Sequence, residues 1–119
     1  MATAREASTQ TGALGERLAA VYLEQLGYAI LCRNFRHAYG EIDLIAAKDG
    51  VTYFVEVKAR RSSVYAPPAA NVTPRKRRQL ARTAAAWFAQ NGCETMSGLL
   101  VVEVYLDSGE ISMFEDFLC

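Results

Sequence analysis

Residues 40–60 read GEIDLIAAKDGVTYFVEVKAR, and this stretch decides the fold. Two apolar runs rich in β-branched residues, 42–47 and 51–59, flank Asp49-Gly50. Asp-Gly between two such runs is typical of the two-residue turn that joins antiparallel strands. The sequence therefore predicts a β-hairpin whose strands are apolar enough on both faces to lie inside a sheet.

The two-residue turn also predicts which residues face each other across the hairpin. Continued along both strands, the register places Asp43 opposite Glu56 and Glu41 opposite Lys58, with all four on one face of the sheet. Two directly opposed carboxylates, with Cβ atoms about 4.5–5.5 Å apart, repel each other. Mg²⁺ or Mn²⁺ would relieve that repulsion, because these hard ions prefer oxygen ligands and complete their shell with phosphate. The alternative is a surface ion pair between Glu41 and Lys58, with the other two carboxylates in solvent.

Patterns outside the hairpin predict two helices and three further strands, in the order α-β-β-β-α-β-β. Apolar residues at helical spacing predict a first helix that stops at Gly27. Thr73-Pro74 is a good N-cap and first residue for a second helix, which ends near Asn91-Gly92. The stripe of the first helix consists of Leu14, Leu18, Val21, Tyr22 and Leu26; the other strands are predicted at 28–35, 99–106 and 111–114, and a long surface loop at 60–72.

Length and composition favour one domain without a membrane segment. The chain has 119 residues, of which 51% are hydrophobic, and we expect a flexible tail over 1–12 followed by a single domain over 13–119. Apolar runs are too short for a membrane span and no signal peptide is recognisable, so a cytoplasmic protein with no membrane partner is expected. Three cysteines without metal-like spacing indicate neither a disulfide framework nor a zinc site.

The formal net charge of zero hides a segregation of charge along the chain. Residues 33–82 hold eleven basic and four acidic side chains, whereas residues 94–119 hold six acidic side chains and no Lys or Arg. A basic block of this kind is typical of a surface that binds a polyanion such as nucleic acid. The acidic third is a possible interface of an assembly protein or homodimer.

Basic residues also fill the first turn of the second helix, where positive charge opposes the helix dipole. This arrangement indicates a phosphate nearby, with a solvated basic face as the alternative. Tyr39 is expected to pack locally, Tyr65 is left open between packing and base stacking, and His37 is expected to be incidental. The candidate nucleic-acid-binding residues are Arg60, Arg61, Arg75, Lys76, Arg77, Arg78 and Arg82, with Arg33 and Arg36 as weaker candidates.

Asp43 followed by Glu56-Val57-Lys58 resembles the signature of PD-(D/E)XK nucleases, and the motifs at 40–46 and 54–60 closely resemble the YraN-like family of small bacterial proteins. The likeness extends over nearly all of the chain from Gly15 onward. It implies a restriction-endonuclease-like α/β core, a mixed sheet of about five strands flanked by helices, similar to archaeal Holliday-junction resolvases. The further matching motifs are Gly15-Glu16, Leu26-Gly27-Tyr28, Arg33-Asn34-Phe35-Arg36 and Lys76.

The resemblance also implies roles for individual residues. Asp43 and Glu56 would hold Mg²⁺ or Mn²⁺, and Lys58 would orient or activate the attacking water. Glu16 would complete the metal site, although its position on the helical wheel alone predicts a solvated acid. Possible support comes from Glu41 and Arg36.

The function implied is that of a metal-dependent endonuclease that hydrolyses phosphodiester bonds of DNA and selects branched or junction structures. The alternative is a non-catalytic nucleic-acid-binding module or an assembly protein with the same fold. Gly98-Leu99-Leu100 stands where the family usually has Arg-Phe-Asp.

Overall fold

The computed structural model describes residues 4–62, 72–116 and 118, with side chains described from residue 12 onward in these ranges. It confirms a mixed five-stranded sheet with two helices in the predicted order. The sheet order is β1-β2-β3-β4-β5, in which β3 and β4 are parallel and the other neighbours antiparallel. The elements are α1 (Ala4–Gln25), β1 (Ala29–His37), β2 (Gly40–Lys48), β3 (Val51–Arg60), α2 (Pro74–Asn91), β4 (Met96–Tyr105) and β5 (Ile111–Asp116).

The local signals in the sequence act where they were expected to act. Asp49 and Gly50 both have positive φ, at 52° and 79°, as a two-residue type I′ hairpin turn requires. Thr73 caps α2 by accepting a hydrogen bond from the backbone N–H of Lys76 at 3.1 Å. Gly92 ends the same helix in the left-handed conformation.

Several boundaries differ from the predicted ones, and two of them extend an element into a segment that was predicted to be irregular. The backbone is helical from Ala4, within the segment 1–12 predicted as a tail, and good helix formers such as Glu6 and Ala7 account for the extension. Strand β3 continues to Arg60, so it includes the start of the predicted loop. Tyr65 and the rest of that loop, residues 63–71, lie outside the described residues.

The helix α1 packs on the sheet through small residues, and most of the apolar stripe that predicted this helix lies outside the core. Gly15 is buried, and a Cβ added to it would lie 2.5 Å from the Cβ of Ala59 on β3. The absence of a side chain there lets the helix approach the sheet closely. The buried side chains of this face are Ala19, Ala20 and Leu23, whereas Leu14, Leu18, Val21 and Leu26 are 37–52% exposed.

The sheet separates two apolar clusters, one under each helix. Val55 belongs to the cluster under α1, and Phe54 belongs to the cluster that includes Leu80 and Ala84 of α2. Because side chains alternate along a strand, Glu56 shares the α2 side with Phe54. The helix α2, whose first turn is basic, therefore lies on the same side of the sheet as Glu56 and packs mainly over β2 and β1. Neither helix within the described ranges has the length and apolarity needed to cross a membrane.

Candidate active site and nucleic-acid interface

The β2–β3 ladder opens immediately before the predicted catalytic residues. Its register runs from Lys48 opposite Val51 to Leu44 opposite Val55, as predicted, and stops there. The expected direct pairs of Asp43 with Glu56 and of Glu41 with Lys58 are therefore wrong.

A side chain takes the place of the missing ladder bond. Oδ2 of Asp43 accepts a hydrogen bond of 2.7 Å from the backbone N–H of Val57, a donor that would otherwise bond to the backbone of β2. This bond holds the Asp43 carboxylate at the gap between the two strands.

Asp43 and Glu56 nevertheless form a coupled pair of partly buried carboxyl groups. Burial raises the pKa of Asp43, nearby Glu41 raises it further, and the hydrogen bond from Val57 opposes both effects. Burial also raises the pKa of Glu56, and the negative charge of Asp43 adds to the increase. Two carboxyl groups whose ionised forms are disfavoured by burial and by each other make a site that gains from an added cation.

Two lysines supply part of the missing positive charge. Nζ of Lys76, from the first turn of α2, lies 3.9 Å from Oε1 of Glu56, and it lowers the pKa of both Glu56 and Asp43. Lys58, two residues along β3, also lowers the pKa of Glu56. The acidic pair thus lies between the predicted catalytic lysine and the basic helix.

Glu16 approaches the same site from the opposite layer of the molecule. It is partly buried and hydrogen bonds to the side chain of Asn34, so its predicted solvated position is wrong. Burial raises the pKa of Glu16, and the charge of Asp43 raises it further. Glu16 lines a recess together with Arg33 and Asn34 of β1. Carboxyl groups from α1, β2 and β3 therefore influence one another electrostatically.

Asn34 is a site residue to which the motif argument assigned no role. Its φ of 54° lies in the left-handed region, which asparagine tolerates better than most residues. The local signal was an Asn inside an apolar strand. This backbone conformation falls between the pairs Arg33 with Leu44 and Phe35 with Ile42, and the side chain bonds to Glu16.

Arg36 and Glu41, which were predicted to support the site, lie on the surface of the protein. Arg36 and Glu41 form an ion pair of 3.4 Å on the surface, and both side chains are more than half exposed. Glu41 still raises the pKa of Asp43, so it contributes to the negative potential of the site.

The donor set suits a small, hard divalent cation. No group of three or more His, Cys, Asp or Glu side chains in the described ranges is arranged to enclose a metal ion. Mg²⁺ does not need such a cage, because it is commonly held by one or two carboxylates and completes its octahedron with water and phosphate oxygens. The pair Asp43 and Glu56, with its raised pKa values, fits this mode of binding.

No role was predicted for Glu103, because it lies in an apolar run that is typical of a core strand. It is fully buried in β4, directly opposite Lys58 in the parallel register. Its Oε1 accepts hydrogen bonds from Nε of Arg60 at 2.8 Å and from the hydroxyl of Tyr105, whereas Oε2 has no hydrogen-bond partner among the described residues. A negative charge in an apolar strand, three residues from Leu100, was the available signal.

The basic residues predicted to bind nucleic acid lie in three different environments. Arg60 is bound to Glu103, and Nη2 of Arg77 lies 2.8 Å from Oδ2 of Asp116 on β5, so both guanidinium groups serve contacts inside the protein. Arg61 is exposed at the end of β3. The others line a groove of about 600 Å³ between α2 and the β1–β2 turn; its residues are Ala38, Tyr39, Thr73, Arg75, Lys76, Arg78, Gln79 and Arg82.

The residues Gly98-Leu99-Leu100, which stand where the family usually has Arg-Phe-Asp, pack in the interior of the protein. Leu99 and Leu100 are fully buried, one in each apolar cluster. A Cβ on Gly98 would lie 3.0 Å from the ring of Tyr53, so the glycine makes room for that ring.

Comparisons with known proteins identify relatives along most of the chain. The chain is 41% identical to a UPF0102 protein of Pelobacter propionicus over 110 residues, 90% of this chain and 79% of that protein. It is 47% identical to a UPF0102 protein of Mycolicibacterium vanbaalenii, over 74% of this chain and 73% of that one. A UPF0102 protein of Symbiobacterium thermophilum is 48% identical over 73% of this chain and 74% of its own length. The family model matches residues 15–107, and the chain belongs to the uncharacterised protein family UPF0102, the YraN-like family that its motifs resemble.

Proposed function

We propose that this protein is a metal-dependent endonuclease of the PD-(D/E)XK type that hydrolyses phosphodiester bonds of DNA and selects branched or junction structures. The observation that carries the proposal is the pair of carboxyl groups of Asp43 and Glu56 near Lys58. Lys76 connects this pair to a groove lined by basic side chains, because it lines the groove and lies 3.9 Å from Oε1 of Glu56. A pair of carboxyl groups that can hold a metal ion next to a basic groove is a combination that suits metal-dependent hydrolysis of a nucleic acid.

Asp43 and Glu56 would hold Mg²⁺ or Mn²⁺, and Glu16 of α1 would add negative charge near them. Such an ion, when bound, lowers the pKa of a coordinated water and polarises a phosphoryl oxygen. The hydrogen bond from Val57 keeps the Asp43 carboxylate at its place in the gap between the strands, so the pair does not have to be assembled when the substrate arrives.

The two lysines have different parts in the proposed reaction. Lys58 stands on the same strand as Glu56, where its ammonium group would donate to the scissile phosphate and stabilise the charge that builds up on it. Lys76 would move when the substrate binds. The distance of 3.9 Å between its Nζ and Oε1 of Glu56 is long for an ion pair, and its side chain lines the groove. A phosphate in the groove would draw Lys76 from the carboxylate.

The groove favours recognition of the DNA backbone over recognition of base sequence. Its three arginines, Arg75, Arg78 and Arg82, are exposed on one side of α2. Contacts of this type position a nucleic acid by its phosphates and carry no sequence information. The choice of substrate then depends on the shape of the DNA.

Cleavage of a labelled DNA panel tests the proposal. Single-stranded, duplex, flap and four-way-junction DNA are incubated with Mg²⁺, with Mn²⁺ or with EDTA. Wild type is compared with Glu56→Gln, which keeps the shape of the side chain, and with Glu24→Gln, an exposed change elsewhere on α1. Metal-dependent cutting that Glu56→Gln loses and Glu24→Gln retains supports the nuclease; cutting that is equal in all three proteins contradicts it.

One observation favours a second candidate, a binding module without catalysis. Lys76 already neutralises part of the acidic pair, so the site can exist without a metal ion. Binding of Mn²⁺ to the protein, followed by the paramagnetic resonance of the free ion, separates the two candidates. Saturable binding that Glu56→Gln weakens at least tenfold favours the nuclease, whereas DNA binding with no Mn²⁺ binding favours the module.

A further inference from the structure

We propose that Tyr39 is a stacking platform for an unpaired base, so that the preferred DNA carries a single-stranded segment next to the site of cleavage. This inference rests on the proposed function and adds the class of DNA that the groove takes. It starts from an aromatic side chain whose position is unusual: Tyr39, in the β1–β2 turn, is 51% exposed and lines the basic groove.

A column of aromatic rings supports Tyr39 from beneath. The ring of His37 lies 5.1 Å from that of Tyr39, and the ring of Phe35 is stacked 6.5 Å below His37. Phe35 meets Trp87 of α2 edge to face at 5.4 Å, and both pack against the apolar cluster under α2. The column joins the core to the surface, so Tyr39 is braced on one side and open on the other.

The turn that carries Tyr39 also lies close to α2. Gly40 has a φ of 147°, and a Cβ added to it would lie 2.7 Å from Nε2 of Gln79. The close approach places the Tyr39 ring in the same groove as Arg75, Arg78 and Arg82 of α2.

An exposed ring beside guanidinium groups is the arrangement that binds single strands. Every base has a flat face that stacks on an aromatic ring, whereas the bases of a duplex are already stacked on one another. Arg75 and Arg78 would hold the phosphates on either side of a base that lies on Tyr39. The groove therefore takes an unpaired strand at this end.

The groove also leads to the acidic pair. Lys76 lines it and reaches to 3.9 Å from Oε1 of Glu56. A strand whose base stacks on Tyr39 would pass its backbone along α2 towards Glu56 and Asp43. Flaps, forks and single-stranded gaps offer such a strand, and continuous duplex does not.

Binding without catalysis tests the stacking platform. The anisotropy of fluorescein-labelled oligo(dT) of about 15 nucleotides, and of a duplex of equal length, is measured in EDTA so that no cleavage occurs. We expect Tyr39→Ala to weaken binding of oligo(dT) about 5- to 150-fold, with a change below about twofold for the duplex. Tyr39→Trp should retain the affinity of wild type, because its ring also stacks.

Two controls separate stacking from charge and from folding. Phe114→Ala removes another exposed aromatic ring, on the opposite edge strand of the sheet, and should leave oligo(dT) binding unchanged. Arg78→Gln should weaken both DNAs and reduce the slope of log affinity against log salt for oligo(dT) by about 0.7, whereas Tyr39→Ala should leave that slope unchanged. If Tyr39→Ala has the same thermal unfolding midpoint as wild type, its fold is intact.

Two outcomes overturn the platform: Tyr39→Ala binds oligo(dT) as wild type does, or it weakens duplex and oligo(dT) equally. If cleavage of the DNA panel depends on metal and Glu56 in the same preparations, only the stacking inference fails. If wild type neither binds nor cuts any DNA, the proposed function fails together with it.

Discussion

The carboxylate of Asp43 accepts a hydrogen bond of 2.7 Å from the backbone N–H of Val57, one residue beyond Glu56 on the neighbouring strand. The bond forms where the β2–β3 ladder ends at Leu44 and Val55, so a side chain completes what backbone pairing leaves open. The carboxylate of Asp43 thus supports the sheet and also belongs to the candidate active site. This double role allows stability and activity to be separated by substitution.

Asp43→Asn and Asp43→Ala should differ in stability although both remove the negative charge. Asparagine retains a carbonyl oxygen that can accept from Val57, whereas alanine leaves that donor without its side-chain acceptor. We expect Asp43→Ala to be less stable than Asp43→Asn by about 1–2 kcal/mol in urea unfolding. Both should lose metal-dependent cleavage. Equal stability of the two variants would show that the hydrogen bond contributes nothing.

The raised pKa of Glu56 predicts a pH dependence of stability. The folded protein keeps the proton on this carboxyl group to a higher pH than the unfolded chain, whose pKa is near the ordinary value of 4.5. The contribution of Glu56 is therefore most favourable below that value and is lost as the pH rises through the raised pKa of the folded state.

Glu56→Gln removes this ionisation, so its stability relative to wild type should increase between about pH 4 and pH 8. Urea unfolding across that range measures the difference, with Glu24→Gln as the exposed control. A relative stability that decreases with pH would mean that Lys76 and Lys58 outweigh burial. Mn²⁺ should raise the unfolding temperature of wild type at pH 8 and have no such effect on Glu56→Gln.

Two glycines of α1 should respond in opposite ways to alanine. A Cβ at Gly15 would meet the Cβ of Ala59 at 2.5 Å, so Gly15→Ala should push the helix from the sheet and destabilise the protein by about 1–3 kcal/mol. Gly12 has nothing within 4 Å of such a Cβ, and Gly12→Ala should stabilise the helix by up to about 1 kcal/mol. Thermal unfolding measures both. Equal changes in stability would contradict the inference that α1 packs on the sheet through Gly15. The affinity of Gly15→Ala for Mn²⁺ would show whether Glu16 has been displaced.

The ion pair of Arg60 with Glu103 should be structural. Glu103 is fully buried, so Arg60→Met would leave its negative charge without the cation that pairs with it and cost about 2 kcal/mol in urea unfolding. The double variant Arg60→Met with Glu103→Leu should recover most of that loss, because it removes the buried charge as well. Arg61→Met, at the exposed neighbouring position, should change stability by less than about 0.5 kcal/mol. Failure of the double variant to recover stability would show that Glu103 has a further role, next to Lys58.

The sequence by itself determined the features that depend on neighbouring residues. Asp49-Gly50 is enough to form the hairpin turn, because both residues tolerate positive φ. Thr73 with Pro74 starts α2 for an equally local reason, a side-chain oxygen at the N-cap and a ring with a suitable φ. The order of the elements and the register near the turn follow from such signals, and the family follows from the motifs around Asp43 and Glu56.

Tertiary structure alone decided which faces and which partners are used. The stripe of leucines on α1 lies outside the core, because close packing of Gly15 on Ala59 favours a helix side that hydrophobicity does not reveal. Arg77 and Arg78 are adjacent in a basic run, but one binds Asp116 and the other lines the groove. Such choices depend on contacts between residues distant in the chain, which periodicity within one element does not encode. The end of the β2–β3 ladder and the exposure of Tyr39 were decided by the same long-range packing.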